Sequence, residues 1–198
     1  MSIRYPKKNY VVFDFETTGF ECESCSVIQM SAIKFFEGEK TTFNRFVKIS
    51  EKLPEKIVEI TGITDEQLAS EGVDEESAWK EFAEFIKSMP LVGHNSINFD
   101  KKFLEVFYKK YGISLPSDMA YIDTAMLYKA RKLNDGPKWF EDHYNFATRI
   151  YNTKVAGLKF NLSLCFQECG YNLEEYKAHQ ADSDCEMTNL IYLKYVNG

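Results

Sequence analysis

Two acidic residues stand at the end of an apolar segment that has the pattern of a buried strand. Asp14 and Glu16 end the run Val-Val-Phe-Asp-Phe-Glu, and side chains two apart in a strand point to the same face of the sheet. Two like charges held together repel, so such a pair usually binds a cation or has a raised pKa. A strand end that simply meets solvent would explain the pair equally well.

Two further acids fall at predicted helix starts. Asp100 follows the segment Gly-His-Asn-Ser-Ile-Asn-Phe, and Asp184 lies in the first turns of the last predicted helix. One such carboxylate alone usually only complements the helix dipole. Four acids at strand ends and helix starts together indicate a ligand-binding site, because these ends of an α/β sheet converge where such folds bind ligands.

Carboxylate oxygens are the ligands that Mg²⁺ and Mn²⁺ prefer. Two such ions about 3.5–4 Å apart can clamp a phosphodiester, one generating hydroxide and the other neutralising the leaving oxygen. His179, five residues before Asp184, could accept the proton because imidazole titrates near neutral pH. A separation of five in an uninterrupted helix turns two side chains about 140° apart, so we expect His179 on the preceding loop. We expect His94 to make local hydrogen bonds and His143 to lie on the solvated surface.

The hydrophobic patterns predict the elements that must position these groups. Strands are predicted at 10–15, 27–36 and 42–49, and three consecutive strands suggest an antiparallel meander. Strands at 91–93 and 120–122 then alternate with helices at 73–88, at 99–111, from 124 onward, at 162–169 and at 181–196. The pattern predicts an α/β domain with a mixed central sheet. Residues 131–160 have no clear period and carry the turn signal Asn-Asp-Gly-Pro, which predicts an insertion with partial helix.

Length and composition place the chain in a broad class. A chain of 198 residues with 44% hydrophobic and 27% charged residues is typical of one globular domain. No stretch reaches the roughly 18 uncharged apolar residues of a membrane span, and no signal-like run opens the chain. We therefore expect a cytoplasmic protein without a membrane segment. Nothing in the sequence indicates its oligomeric state.

The five cysteines are an odd number, which favours reduced thiols over a disulfide framework. Cys22-x-x-Cys25 and Cys165-x-x-x-Cys169 could in principle combine in a zinc site. Unpaired, reduced thiols are the interpretation that we favour over such a site.

The charges are distributed unevenly along the chain. The net charge of −6 excludes indiscriminate binding of polyanions by overall charge. Residues 51–84 hold eleven acids against three lysines, which suggests a protein contact, whereas residues 129–159 hold seven bases against three acids. With Trp139, Phe140, Tyr144, Phe146 and Tyr151, the basic segment suits backbone attraction and base stacking. Packing of the insertion onto the domain would explain the aromatic residues equally well.

Four spaced motifs follow one another along the chain. They are Phe13-Asp14-Phe15-Glu16-Thr17-Thr18-Gly19, Ile60-Thr61-Gly62-Ile63-Thr64, Gly93-His94-Asn95 with Phe99-Asp100-Lys101-Lys102-Phe103-Leu104, and His179-x-x-x-x-Asp184. In this order they resemble the motifs of the DEDD 3′–5′ exonucleases, from about Tyr10 to Tyr195. The match is to the histidine branch, which includes the proofreading subunit of bacterial DNA polymerase III, ribonuclease T and oligoribonuclease. The tyrosine branch has Tyr-x-x-x-Asp in the last motif, where this chain has Gln180.

This resemblance implies a ribonuclease H-like fold with a five-stranded mixed sheet. It implies that Asp14, Glu16, Asp100 and Asp184 bind two Mg²⁺ or Mn²⁺ ions and that His179 deprotonates the attacking water. The substrate contacts that it implies are Thr17, Thr18 and Gly19 beside the scissile nucleotide, Ile60 and Thr61 near the terminal base, and Asn95 and Phe99 lining the cleft. The chain departs from many members in having three residues, not two, between Asn95 and the Phe-Asp pair.

The expected function is therefore a metal-dependent 3′–5′ exonuclease that releases nucleoside 5′-monophosphates from single-stranded ends. DNA is the favoured substrate, and short RNA is the alternative. Because only fourteen residues follow Asp184, we expect a free-standing enzyme. Two other hypotheses are a catalytically silent nucleic-acid-binding adaptor and an endonuclease on the same fold. The intact set of four acids and His179 argues against the adaptor.

Overall fold

A mixed five-stranded sheet forms the centre of the computed structural model, which describes residues 3–116, 118–176 and 180–197. The strands are β1 (Tyr10–Thr17), β2 (Val27–Phe36), β3 (Glu39–Phe46), β4 (Leu91–Gly93) and β5 (Tyr121–Asp123). Their order in the sheet is β3-β2-β1-β4-β5. The β1–β2 and β2–β3 pairs are antiparallel, and the β1–β4 and β4–β5 pairs are parallel. The predicted α/β fold with a meander and parallel strands is confirmed.

The helices of the described chain are α1 (Glu55–Thr61), α2 (Asp65–Glu71), α3 (Glu75–Ile86), α4 (Asp100–Lys110), α5 (Thr124–Leu133), α6 (His143–Asn152), α7 (Leu162–Glu168) and α8 (Ala181–Asn197). A short 3₁₀ turn, Leu173–Glu175, follows α7. Side-chain oxygens of Thr64, Asp74, Asp123, Asp142 and Asn161 accept backbone N–H groups at the starts of α2, α3, α5, α6 and α7. These N-cap residues favour the start of a helix at each position, because they satisfy N–H groups that lack helical partners.

The two faces of β1 have different neighbours. Val11, Phe13 and Phe15 pack with residues of α3 and α4, including Trp79 and Phe103. The even-numbered residues Tyr10 and Val12 instead face α8, where Cys185 and Tyr192 are buried. Since side chains alternate along a strand, Asp14 and Glu16 fall on the α8 side. This alternation brings the start of α8 to the first acidic pair.

The turn between β2 and β3 explains why β3 begins three residues before its predicted start. Glu37 and Gly38 both have positive φ, and Phe36 pairs with Glu39 across them. A two-residue hairpin with positive φ at both positions fixes the register of the second strand at once. The alternation of apolar and polar residues from 42 to 49 predicts a strand but does not show where the preceding turn lies.

Helices also occur where the pattern gave no clear signal. The acidic stretch from 51 to 71 forms α1 and α2, which pack through Ile57, Val58 and Leu68 beside Ile28. Residues 131–160 contain α6, whose Phe146 and Ile150 pack against α5. In the part of the chain that the structure describes, no helix combines the length and apolar character needed to cross a membrane.

Candidate metal centre

Three carboxylates converge at the carboxyl end of β1. Asp14 and Glu16 extend from the even-numbered face of this strand, and Asp184 lies in the first turn of α8. One oxygen of each carboxylate lies within 4.8 Å of the others, in a geometry that could hold a metal ion. The predicted proximity of these three acids therefore agrees with the fold.

Asp100 is the fourth acid, and the backbone of β1 fixes it beside the other three. Its Oδ1 accepts a hydrogen bond of 3.0 Å from the N–H of Phe15, the residue between Asp14 and Glu16. Asp100 opens α4 and is buried. The carboxylate of the first residue of α4 thus lies beside the strand that carries Asp14 and Glu16.

Burial and mutual repulsion make these acids hard to ionise together. Loss of hydration raises the pKa of Asp14 well above its usual range, and the charges of Asp100, Glu16 and Asp184 raise it further. Burial, followed by repulsion from Asp184, raises the pKa of Glu16 to about 7. Burial raises the pKa of Asp100 to about 8, although the N–H of Phe15 opposes this shift. A divalent cation would supply the missing positive charge.

A fifth buried acid, Asp123, organises the approach to Asp100. Its Oδ1 accepts backbone N–H groups of Asn95, Ala125 and Met126, and its Oδ2 accepts the N–H of Ile97, at 3.0–3.2 Å. Burial raises the pKa of Asp123 to about 6, and the N–H donors oppose this shift. The sequence interpretation missed this residue. The available signal was an Asp at a strand end directly before helical residues, which is a typical N-cap pattern.

The loop after Glu16 is fixed by its own hydrogen bonds. The Thr17 hydroxyl donates to the Gly19 carbonyl at 2.7 Å, and Thr18 and Ser26 bind each other across the loop. A Cβ at Gly19 would lie 2.8 Å from the Sγ of Cys25, so a larger residue there would displace the Cys25 side chain. The predicted contacts Thr17, Thr18 and Gly19 therefore form a preorganised turn directly after the acids.

An exposed aromatic residue follows this turn. Phe20 is 86% exposed and its ring meets that of Phe99 edge-on at 6.0 Å. Phe99 also packs against Phe103 of α4. Sequence reasoning identified Phe99 and missed Phe20, since the residue type alone does not distinguish an exposed phenylalanine from a core one.

The other predicted substrate residues differ in how accessible they are. Asn95 has a left-handed backbone with φ of 58°, and its buried Oδ1 has no hydrogen-bond partner within the described ranges. Ile60 is exposed on α1. Thr61 is buried, and its hydroxyl donates to the Ile57 carbonyl and accepts from the N–H of Ile63. The Thr61 hydroxyl is thus engaged in ending α1.

The three histidines have different positions. His179 lies outside the described residues, so its predicted role as base is not tested. His94 is bonded as expected, since its Nε2 donates to the Phe160 carbonyl and its Nδ1 contacts the Thr124 hydroxyl, both at 2.8 Å. Burial lowers the pKa of His94 to about 4. His143 differs from the expectation of a solvated residue, because its Nε2 bonds to the Arg4 carbonyl and its ring packs edge-on against Tyr5.

The basic segment from 129 to 159 uses several of its charges internally. The guanidinium of Arg149 pairs with Asp135 at 2.7 Å and Glu141 at 2.5 Å. Lys132 pairs with Glu168, and the buried Lys129 donates to the Tyr151 carbonyl. Three of the seven bases of this segment are therefore engaged in bonds within the protein.

The cysteines do not assemble as a four-ligand zinc site. Cys22 and Cys25 pack with the core between the sheet and α3 and α4, whereas Cys165 and Cys169 pack with α5 and α8. All five cysteines have free thiols. The two pairs belong to separate hydrophobic clusters, which agrees with unpaired thiols.

The chain is similar to known proteins over most of its length. Residues 11–145 match the family described as Exonuclease (RNase_T). DNA polymerase III of the PolC type from Staphylococcus haemolyticus is 32% identical over 188 residues, which cover 94% of this chain and 11% of that protein. The PolC-type enzyme of Mycoplasma genitalium is 37% identical over 119 residues, covering 60% of this chain and 8% of that protein. The chain thus spans about a tenth of the length of these curated relatives.

A solved structure shows the same fold. E. coli Exonuclease I in complex with a dA16 oligonucleotide superposes with a TM-score of 0.71 and 20% identity, covering 96% of this chain and 41% of that chain. The ribonuclease H-like arrangement expected from the motifs agrees with this likeness.

Proposed function

The chain belongs to the exonuclease family, and from this premise we propose that it hydrolyses phosphodiester bonds at the 3′ ends of single-stranded nucleic acid. The products would be nucleoside 5′-monophosphates. The observation that carries the proposal is the convergence of Asp14, Glu16 and Asp184 within 4.8 Å, with Asp100 bonded to the strand between the first two.

The donor set fits divalent metal ions, because it consists of carboxylates whose pKa values are raised by burial and repulsion. Asp14, Glu16, Asp100 and Asp184 would hold two Mg²⁺ or Mn²⁺ ions. Such ions, when bound, make a hydroxide nucleophile available at neutral pH and neutralise charge at the leaving oxygen. The Phe15 N–H keeps Asp100 oriented toward the site. In the proposal, His179 takes the proton of the attacking water.

The surroundings of the site suit an unpaired strand. The exposed ring of Phe20 and the neighbouring Phe99 offer apolar surface on which an unstacked base can lie. The turn from Thr17 to Gly19 would contact the scissile nucleotide. DNA is the favoured substrate, because the structural neighbour Exonuclease I was solved with a dA16 oligonucleotide. Short RNA is the alternative.

A silent adaptor on this fold is the less favoured function. Burying four mutually repelling acids costs free energy unless they bind a cation or a proton. A module that only binds nucleic acid would bind more tightly with neutral or basic residues at the carboxyl end of β1, since the nucleic acid is negatively charged.

The test uses the purified full chain with 5′-labelled single strands of DNA and RNA, with duplex DNA, and with Mg²⁺, Mn²⁺ or EDTA. We expect a ladder that shortens from the 3′ end only when metal is present. Asp14→Asn, prepared identically, is the control for contaminating nuclease. Internal fragments without a ladder would establish an endonuclease. Absence of hydrolysis on every strand would overturn the proposal.

A further inference from the structure

The contacts at the starts of α5, α6 and α7 show at which end of the sheet the two connections between these helices lie. Helix α5 begins at Thr124, directly after Asp123, whose carboxylate bonds to the loop that leads to Asp100. Helix α6 begins at His143, which bonds to Arg4 before the start of β1. Helix α7 begins just after Phe160, which bonds to His94 at the end of β4. The connection at 134–142 therefore lies away from the acids, and the connection at 153–161 lies beside them.

The connection at 153–161, the α6–α7 turn, is anchored to the β4–α4 loop. The Phe160 carbonyl accepts a hydrogen bond of 2.8 Å from His94, and a carbonyl only accepts, so Nε2 carries the proton. Phe160 and Ile97 also pack against the same cluster, around Phe146 and Ile150. At the other side, Lys129 donates to the Tyr151 carbonyl. The turn is therefore held from both sides at a fixed place relative to Asp100.

The α6–α7 turn carries two of the seven basic residues of the 129–159 segment. Lys154 and Lys159 are exposed, and residues 153–161 contain no acid. Within the described chain neither lysine forms an ion pair, in contrast to Arg149 and Lys132. Two exposed lysines thus lie at the same end of the sheet as the acids.

Two of the five aromatic residues that suggested base stacking lie at the other end of α6. Trp139 and Phe140 are 78% and 65% exposed, and their rings meet edge-on. Their loop is clamped by Arg149 through Asp135, Glu141 and the Gly136 carbonyl. This loop lies in the 134–142 connection, which precedes α6, whereas the α6–α7 turn follows α6.

We propose that Lys154 and Lys159 bind the phosphodiester backbone of the single strand on the 5′ side of the scissile nucleotide. This inference rests on the proposed function and adds the path of the strand. A lysine ammonium is a mobile point charge, which suits contact with phosphates of any sequence. The contact would supply local attraction on a protein whose net charge is −6.

The test compares two double variants that remove the same charge. Lys154→Gln with Lys159→Gln removes the proposed contact, and Lys109→Gln with Lys138→Gln removes two exposed lysines from the opposite end. Hydrolysis of a 20-nucleotide strand and of a dinucleotide is measured from 50 to 400 mM salt. Binding of fluorescein-labelled dT20 in EDTA is measured in parallel by anisotropy.

For the first variant we expect the KM for the 20-nucleotide strand to be about tenfold higher than that of wild type near 0.1 M salt. The slope of log KM against log salt concentration should be flatter by about 1.4, because each phosphate contact on a single strand contributes roughly 0.7. The kcat on the dinucleotide should not change, and the control should match wild type. Equal effects in both variants, or no change in salt slope, would overturn the inference. If hydrolysis is absent but dT20 binding weakens only in the first variant, the proposed function fails and the strand path stands. If wild type neither cuts nor binds, both fail.

Discussion

Two regions of this protein are rich in acidic side chains, but the surroundings of these side chains differ. The helices α1 to α3 and the residues before them carry eleven acids between 51 and 84. Several of these pair with bases, as in Arg45–Glu81 and Lys80–Glu76. Hydrogen bonds lower the pKa of Glu51 and Asp74 there. At the metal centre, burial and repulsion instead raise the pKa of Asp14, Glu16 and Asp100.

The difference shows that the surroundings of a carboxylate, and not the number of acids, determine what it does. On the helices, solvent and bases accommodate every charge at little free-energy change. At the carboxyl end of the central strand β1, burial and repulsion instead disfavour the ionised form of the carboxyl groups. A region rich in acid is therefore a poor guide to a metal site, and a small group on a buried strand is a better one.

The largest effect should follow from removing one charge of the buried group. Asp14→Asn should lower the exonuclease rate at least 100-fold, because a metal ligand is lost. The same variant should melt a few °C higher than wild type without metal, because repulsion is relieved. Glu59→Gln on α1, an exposed acid, should change neither quantity. Activity assays and thermal melts in EDTA measure both, and retention of more than a tenth of the rate would contradict the metal assignment.

His179→Ala should lower kcat by roughly 10²–10⁴ while the metal affinity stays near that of wild type, since a general base supplies about this factor. The wild-type rate should rise with pH through the imidazole titration and then level off. Rate profiles from pH 5.5 to 9 and Mn²⁺ titration by calorimetry test this. An unchanged profile in the variant would assign the base role to another group.

Asp123 sharpens the comparison, because it is buried like the metal-centre acids but surrounded by N–H donors. Asp123→Asn keeps one acceptor oxygen and places an NH₂ group against the N–H of Ile97. We expect a loss of about 1–3 kcal/mol in stability and a several-fold higher metal concentration for half-maximal activity, with KM for the strand unchanged.

The matched control is Asp142→Asn at the start of α6, where the carboxylate also accepts an N–H but is exposed. Asparagine is an equally good N-cap, so stability and metal dependence should both stay near wild type. Equal metal dependence in the two variants would leave Asp123 with a purely structural role.

The metal-free protein should be more stable at pH 5.5 than at pH 8. The folded pKa of Glu16 is about 7 and that of Asp100 about 8, whereas unfolded carboxyls titrate near 4. Between about pH 4 and 8 the folded state therefore binds more protons, and the free energy of unfolding falls as pH rises. Saturating Mg²⁺ should reduce this fall. Thermal melts across this range provide the test, and a rise in stability toward pH 8 in EDTA would contradict the raised pKa values.

The sequence sufficed for features that depend on periodicity and on residue type. Alternation along 10–15 placed Asp14 and Glu16 on one face, and strand–helix alternation predicted that Asp100 and Asp184 would join them. Features set by specific tertiary bonds were out of reach. The four N–H donors of Asp123 come from two separate segments, and the partners of Arg149 are loop acids that the fold brings together. The sequence also does not show which side chains are exposed, so Phe20 was missed, and base stacking could not be distinguished from packing for the aromatic residues of the basic segment.

The pairing of Asp14 on the first strand with Asp184 on the last helix has a consequence for the protein as it is synthesised. Asp14 leaves the ribosome long before Asp184, and contacts between distant parts of a chain form only after both parts are available. A nascent or prematurely terminated chain thus holds part of the ligand set and should have no nuclease activity.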